Sequence, residues 1–154
     1  PQTGRNGEWI IHYPSGNVNA KYQYVHGAFD QDRLEWYDNG NKKMEGIYQD
    51  GLMDGMWTYY YSDGTIKAKG DFMNGDGGNV HKKSGIPQNG RNDEWIIYYP
   101  SGNVNAKYQY VDGTFDQERL EWYDNGNKRL ELIYKEGKVT SLKQWDADGK
   151  EQRK

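Results

Sequence analysis

The amino-acid sequence predicts an all-β chain of tandem antiparallel β-hairpins, about 24 residues each, laid side by side as an elongated meander sheet. Three observations carry that expectation. Trp9, Arg33 and Trp57 recur at one step, in phase with Gly16, Gly40 and Gly64 and with Gly27, Gly51 and Gly75. Asn-Gly and Asp-Gly pairs punctuate the segments between them, the strongest short-range hairpin signal. The apolar material is aromatic: Val, Leu, Ile and Phe supply only 23 of 154 residues, whereas there are 14 Tyr and 6 Trp. An aliphatic share below roughly 20% would by itself indicate disorder. Each aromatic ring, however, buries about 150–250 Å², worth several kcal/mol at about 25 cal/mol per Å². Rings therefore replace aliphatics as the cohesive element, which suits a thin sheet.

Taken in order, the first unit reads as a strand from Glu8 to Tyr13, a turn at Pro14-Ser15-Gly16, a longer strand from Asn17 to Val25 and a second turn at His26-Gly27. Matching inner turns fall at Asp38-Asn39-Gly40, Asp63-Gly64 and Asp124-Asn125-Gly126; matching outer turns fall at Asp50-Gly51, Asn74-Gly75, Asp112-Gly113 and Glu136-Gly137. A longer repeat overlies the first, with residues 1–51 recurring at 87–137, so that Trp9 maps onto Trp95 and Trp36 onto Trp122. The resulting organisation is three hairpins over 1–75, a Gly-rich spacer over 76–92, two hairpins with a partial capping repeat over 93–149, and a polar tail at 150–154. The spacer reads first as a linker and second as an ordered loop. Because Pro1 corresponds to Pro87, partway through that spacer, the chain is expected to be a piece of a longer protein with more copies.

With Ser15-Gly16 as central turn residues, Tyr13 faces Val18, Ile11 faces Ala20 and Trp9 faces Tyr22 on one apolar side, with Ile10, His12, Asn19, Lys21 and Gln23 on the other. Trp57, Tyr59, Tyr61, Ile66, Ala68 and Phe72 follow the same rule. In the second unit Arg33, Glu35 and Lys42 occupy the apolar side, while Leu34, Trp36 and Ile47 point away; a bulge of a single extra residue would swap every side chain to the other face and restore the rule. Tyr24, Tyr48, Phe72, Tyr110 and Tyr134 share one position and are expected to line up as a core ladder.

Gly55-Met56-Trp57-Thr58-Tyr59-Tyr60-Tyr61-Ser62-Asp63-Gly64, followed by Phe72-Met73-Asn74-Gly75, resembles the MORN-variant repeat: a Gly-x-Trp, a Tyr-Tyr pair, an Asn-Gly or Asp-Gly turn and a Tyr-x-x-Gly close. Arg33 and Arg119 stand where that pattern has tryptophan, and the spacer interrupts its run. The resemblance implies an interaction module of bacterial, in part antitoxin-like, proteins: protein binding, scaffolding or, in some relatives, membrane association.

Composition narrows the function classes further. A net charge of −3 without a basic stripe argues against nucleic acid and an anionic membrane. Without cysteine, disulfides and thiolate metal sites are excluded, and the compartment stays open. Of His12, His26 and His81, the first two become Tyr98 and Asp112 in the second copy, so histidine-dependent chemistry is not expected. Asp30 with Asp32 and Asp116 with Glu118 read as solvated turn carboxylates, and Asp146-x-Asp148-Gly149 as a hairpin turn rather than a calcium loop. No catalytic, cofactor or metal residue is assigned. The expected function is a non-catalytic module for protein–protein interaction or assembly, with self-association of the sheet as an extension of it; the alternatives are a carbohydrate or cell-wall binding module and an immunity protein that binds a toxin. The residues expected at the binding surface are Trp9, Trp36, Trp57, Trp95, Trp122, Arg33 and Arg119, the types that dominate interface hot spots.

Overall fold

The computed structural model describes residues 4–111 and 114–152, and the side chains of 114–116 lie outside that description. The expected outer turn at Asp112-Gly113 therefore falls outside the described residues. Twelve antiparallel strands follow one another in chain order in a single sheet. They are β1 (Gly7–His12), β2 (Val18–Val25), β3 (Ala28–Trp36), β4 (Lys42–Gln49), β5 (Leu52–Tyr60), β6 (Ile66–Gly75), β7 (Arg91–Tyr98), β8 (Val104–Val111), β9 (Thr114–Trp122), β10 (Lys128–Lys135), β11 (Lys138–Trp145) and β12 (Glu151–Gln152). No helix interrupts the described residues. The two halves share the sheet, since β6 pairs with β7 through Ala68↔Ile97 and Phe72↔Arg91.

Two kinds of turn alternate. At the outer turns both central residues take positive φ, as in His26 (50°) with Gly27 (81°) and Asp50 (50°) with Gly51 (83°), which is the mirror-image turn that matches strand twist. The inner turns differ from the two-residue turn expected. Gly16 N–H donates to Tyr13 O (2.9 Å) and Tyr13 N–H to Asn17 O (2.8 Å), so Pro14-Ser15 occupy the bend and only Gly16 has positive φ. This is a three-residue loop closed by a glycine bulge. The same two bonds recur at Tyr37, Tyr61, Tyr99, Tyr123 and Asp146.

That extra residue corrects several pairings. His12, not Tyr13, lies opposite Val18, while Ile11↔Ala20 and Trp9↔Tyr22 are as expected. Ile66 pairs with Tyr60 and Lys42 with Trp36, which places Ile66 and Lys42 on the side away from Trp57. Asn74-Gly75 is not a turn: β6 runs on to Gly75, which pairs with Met53.

One side of the sheet, the aromatic face, holds the core. Tyr24, Tyr48, Met53, Trp57, Tyr59, Phe72, Trp95 and Tyr110 are buried there with Ala20, Ala68 and Ala106. Tyr24, Tyr48 and Phe72 do not stack on one another directly; Phe29, Trp57 and Trp95 interdigitate, with centroid separations of 4.8 Å for Tyr24–Phe29, 5.2 Å for Phe29–Tyr48, 5.2 Å for Tyr48–Trp57 and 5.0 Å for Phe72–Trp95. Room for the indoles comes from glycine. A Cβ on Gly46 would sit 2.1 Å from Trp57, and one on Gly70 would sit 2.3 Å from Trp95.

The linker reading of the spacer is replaced by a folded loop. Residues 76–90 turn back over the aromatic face and bury Ile86 to 1% exposure within the core. His81 N–H bonds Ile86 O, Gly85 N–H bonds His81 O, and Lys67 Nζ reaches Ser84 O at 2.8 Å. A lone apolar side chain in a polar stretch becomes an anchor because the sheet beneath supplies the apolar partners.

Along the inner-turn edge, neighbouring hairpins are tied by side chains. The hydroxyls of Tyr13, Tyr37, Tyr61, Tyr99 and Tyr123 each donate to the backbone carbonyl ending a strand of the next unit, at Trp36, Tyr60, Tyr98, Trp122 and Trp145, over 2.7–3.0 Å. Asn17, Asn41, Asn103 and Asn127 donate in the same direction to Asp38, Ser62, Asp124 and Ala147. Each tyrosine bond contributes on the order of 1 kcal/mol.

Candidate functional site

The expected binding residues divide into four environments. Trp57 and Trp95 are fully buried. Their Nε1 atoms donate to Ile47 O (3.2 Å) and Asp71 O (2.9 Å), so they pin the sheet and do not reach a partner; on this point the sequence expectation is corrected. Trp9 sits at the β1 edge, 41% exposed, with the Arg5 guanidinium 4.5 Å above its ring.

Arg33 and Arg119 take the tryptophan position with a different partner. Where Trp57 and Trp95 overlie glycine, Arg33 lies across from Tyr22 and Arg119 across from Tyr108. The Arg33 guanidinium rests 5.0 Å from the Tyr22 ring and 5.7 Å from that of Tyr48, pairs with Glu35 (2.5 Å) and donates to the Tyr48 hydroxyl (2.7 Å). Arg119 likewise pairs with Glu121 and stands 5.1 Å from Tyr108. Arg33 and Glu35, unlike Lys42, therefore belong on the aromatic face, as a planar cation held between tyrosine rings and a carboxylate.

Trp36 and Trp122 are placed together with the same neighbours on the opposite face. Asn17, Val18, Lys21, Trp36, Asn39 and Gly40 line a shallow pocket of about 400 Å³. Asn103, Val104, Lys107, Trp122, Asn125 and Gly126 line its counterpart of about 360 Å³. Both indoles are half-buried. The asparagine amides are held by their bonds to the next turn, which fixes the pocket rim. Six strand spacings separate the two pockets, roughly 29 Å measured along the sheet. Around them the same face exposes Ile10, Ile47, Met56, Ile66 and Ile133.

Sequence reasoning did not find a further feature, a cavity on the aromatic face of about 410 Å³. Its walls are Arg33, Glu35, Lys43, Met44, Met53, Tyr59 and Lys67 on the sheet and Gly77, Ser84, Gly85 and Pro87 on the spacer loop. The signal available in the sequence was the spacer itself, which has no counterpart between the later hairpins. Among the described residues no group of His, Asp or Glu is arranged to hold a metal ion, and no helix is long and apolar enough to cross a membrane.

With the strand–turn–strand unit, its glycine bulge and its buried Gly-x-Trp tryptophan established, the family comparison is direct. Residues 5–26, 53–74 and 94–112 match the family model of the MORN repeat variant. These three segments are similar to MORN-variant repeats. The three matches fall on β1–β2, β5–β6 and β7–β8, the units with tryptophan (Trp9, Trp57, Trp95) at the position that Arg33 and Arg119 take in the units the match passes over. MORN-variant repeats are non-catalytic repeat modules. No curated protein matches the chain. Among solved structures, a chain of the crystal structure of the GtfA/B complex bound to UDP and GlcNAc aligns with 12% identity and a TM-score of 0.29, over 85% of this chain and 23% of that one. A likeness of that size bears on neither fold nor function.

Proposed function

We propose that the chain is a non-catalytic module that binds a protein partner through the face carrying Trp36 and Trp122. The supporting observation is that one pocket is built twice from six matching residues, once in each of the two repeated halves, so that one sheet presents it at two places. A half-buried indole flanked by Val18 and the Lys21 stem forms an apolar recess that fits an inserted aliphatic or aromatic side chain. Nearby exposed Ile10 and Ile47 extend the apolar contact. Two such recesses on one rigid sheet act together, so the second contact forms at high effective concentration.

A glycan is the second reading, favoured by the same repetition, because paired aromatic pockets rimmed by asparagine and lysine also suit a polymeric sugar. The deciding experiment is affinity capture from the native source with wild-type and Trp36→Ala/Trp122→Ala bait, alongside a glycan array. Recovery of a protein with wild type and its loss with the double variant supports the proposal. Equal recovery by both baits refutes it, and array binding that the double variant abolishes transfers the function to glycans.

A further inference from the structure

The roofed cavity on the aromatic face is not used by the reading above, and its charges do not balance. Three cationic side chains, Arg33, Lys43 and Lys67, line it against one carboxylate, Glu35. Arg33 takes up that carboxylate. Neither Lys43 nor Lys67 forms an ion pair among the described residues; Lys43 Nζ lies 5.9 Å from the Tyr37 ring, and Lys67 Nζ donates to Ser84 O. Close behind, Arg91 is 5% exposed and is held by Pro87 O, the Tyr110 hydroxyl and the Trp95 ring rather than by an acid. Burial, with the Lys43 charge added, holds the Lys67 ammonium below its usual range, so a nearby anion would relieve both effects.

At the matching position in the second half the cations are paired. There Arg129 replaces Lys43 and binds Glu121 together with Arg119, so the carboxylate is shared by two guanidinium groups. Nothing from a spacer covers that position, which is lined by Arg119, Glu121, Tyr123, Arg129 and neighbours from β11 and β12. Unbalanced ammonium groups thus coincide with the loop that makes an enclosure.

Shape and polarity add a second line. Met44, Met53 and Tyr59 give the enclosure an apolar floor. Tyr59 is 7% exposed, and its hydroxyl has no hydrogen-bond partner among the described residues. A buried hydroxyl without a partner is uncommon in folded proteins and marks a place where an acceptor is expected. The volume is within the range of small-molecule sites.

We propose that the cavity between β3–β6 and the loop 76–90 binds a small organic anion, with its charged group on Lys43 and Lys67 and its apolar body against Met44, Met53 and Tyr59. The site lies on the opposite side of the sheet from the tryptophan pockets and is independent of them. It is tested by isothermal titration calorimetry of the full chain with phenyl phosphate, inorganic phosphate and benzyl alcohol as probes. Phenyl phosphate is expected to bind saturably at one site per chain, at least tenfold more tightly than inorganic phosphate, with no saturable heat from benzyl alcohol. Lys43→Gln/Lys67→Gln is expected to weaken phenyl phosphate at least tenfold, while Arg129→Gln leaves its affinity unchanged. Tyr59→Phe is expected to weaken it severalfold without lowering the melting temperature of the unliganded chain, which separates a ligand contact from a folding role. Absence of saturable binding, equal affinity for benzyl alcohol, or undiminished binding by the double lysine variant would overturn the proposal.

Discussion

Gly46→Ala tests the packing rule that holds the repeats together. The new Cβ would fall 2.1 Å from Trp57 Cδ2, against an ordinary contact of about 3.5–4 Å. One of the two strands must retreat by more than an ångström, yet Trp57 is fully buried and its Nε1 is bonded to Ile47 O, so the indole has nowhere to rotate. Overpacking of this kind costs about 1–3 kcal/mol, less about 0.5–1 kcal/mol regained because alanine suits a strand better than glycine. The net loss is expected to be on the order of 1–2 kcal/mol, a fall of about 2–8 °C in melting temperature for a chain of this size. Urea denaturation followed by tryptophan fluorescence reads it as a lower midpoint with an unchanged slope. The partner experiment is Gly46→Tyr with Trp57→Arg, which rebuilds the Tyr22–Arg33 arrangement: each single change is expected to destabilise, and the double variant to recover at least 1 kcal/mol relative to their sum. A neutral Gly46→Ala, or a double variant that is merely additive, would refute the rule.

Tyr37→Phe removes the hydroxyl bonded to Tyr60 O and is expected to cost about 0.5–1.5 kcal/mol by the same denaturation assay. Trp36→Ala/Trp122→Ala is expected to shift the melting temperature far less than Trp57→Ala, whose loss is about 3–5 kcal/mol, and thermal melts of the two variants make the comparison. Burial opposes ionisation of Glu45, but hydrogen bonds from Lys42 and Tyr60 win and hold its carboxyl below the usual range; at the equivalent Glu131 the Lys128 hydrogen bond leads in the same direction. Since the folded values are depressed, this stability is present above about pH 4.3 and lost as the pH falls through them. Acid titration by circular dichroism is expected to show a shallower loss in Glu45→Gln/Glu131→Gln. At the alkaline end, burial and the Glu45 bond push the Tyr60 phenol up to about 12, so its contribution is complete below pH 10 and disappears as the pH rises toward that value. Stability measured in Tyr60→Phe should lack that alkaline phase.

The hairpin period, the strand order and the aromatic face were readable because glycine and tryptophan recur at fixed intervals that only strand pairing satisfies. Turn type was not. Ser15-Gly16 and Asn39-Gly40 fit a two-residue turn as well as a bulged three-residue one, and the choice depends on whether one or both residues take positive φ. That single residue decided the sides of Tyr13, Ile66 and Lys42. The place of Arg33 was visible as an anomaly but not as a solution, since its partner Tyr22 lies in another hairpin. Trp57 and Trp95 were misassigned for a related reason: burial depends on Gly46 and Gly70 across the strand, which composition does not rank. The hydroxyl ladder left a trace in Tyr13, Tyr37, Tyr61, Tyr99 and Tyr123 before each inner turn, although their acceptors are backbone atoms without sequence identity. Least legible was the cavity, which exists because Ile86 folds the spacer onto the sheet.

Everything assigned to the two faces requires that the halves share one sheet across β6 and β7. Nuclear Overhauser spectroscopy on labelled chain addresses this at Ala68 and Ile97, which pair across that junction. Cross-strand backbone contacts between them, together with slow exchange of the Trp95 indole proton donated to Asp71 O, are the predicted result. Absence of those contacts, with the two halves tumbling independently about a mobile spacer, would contradict the account.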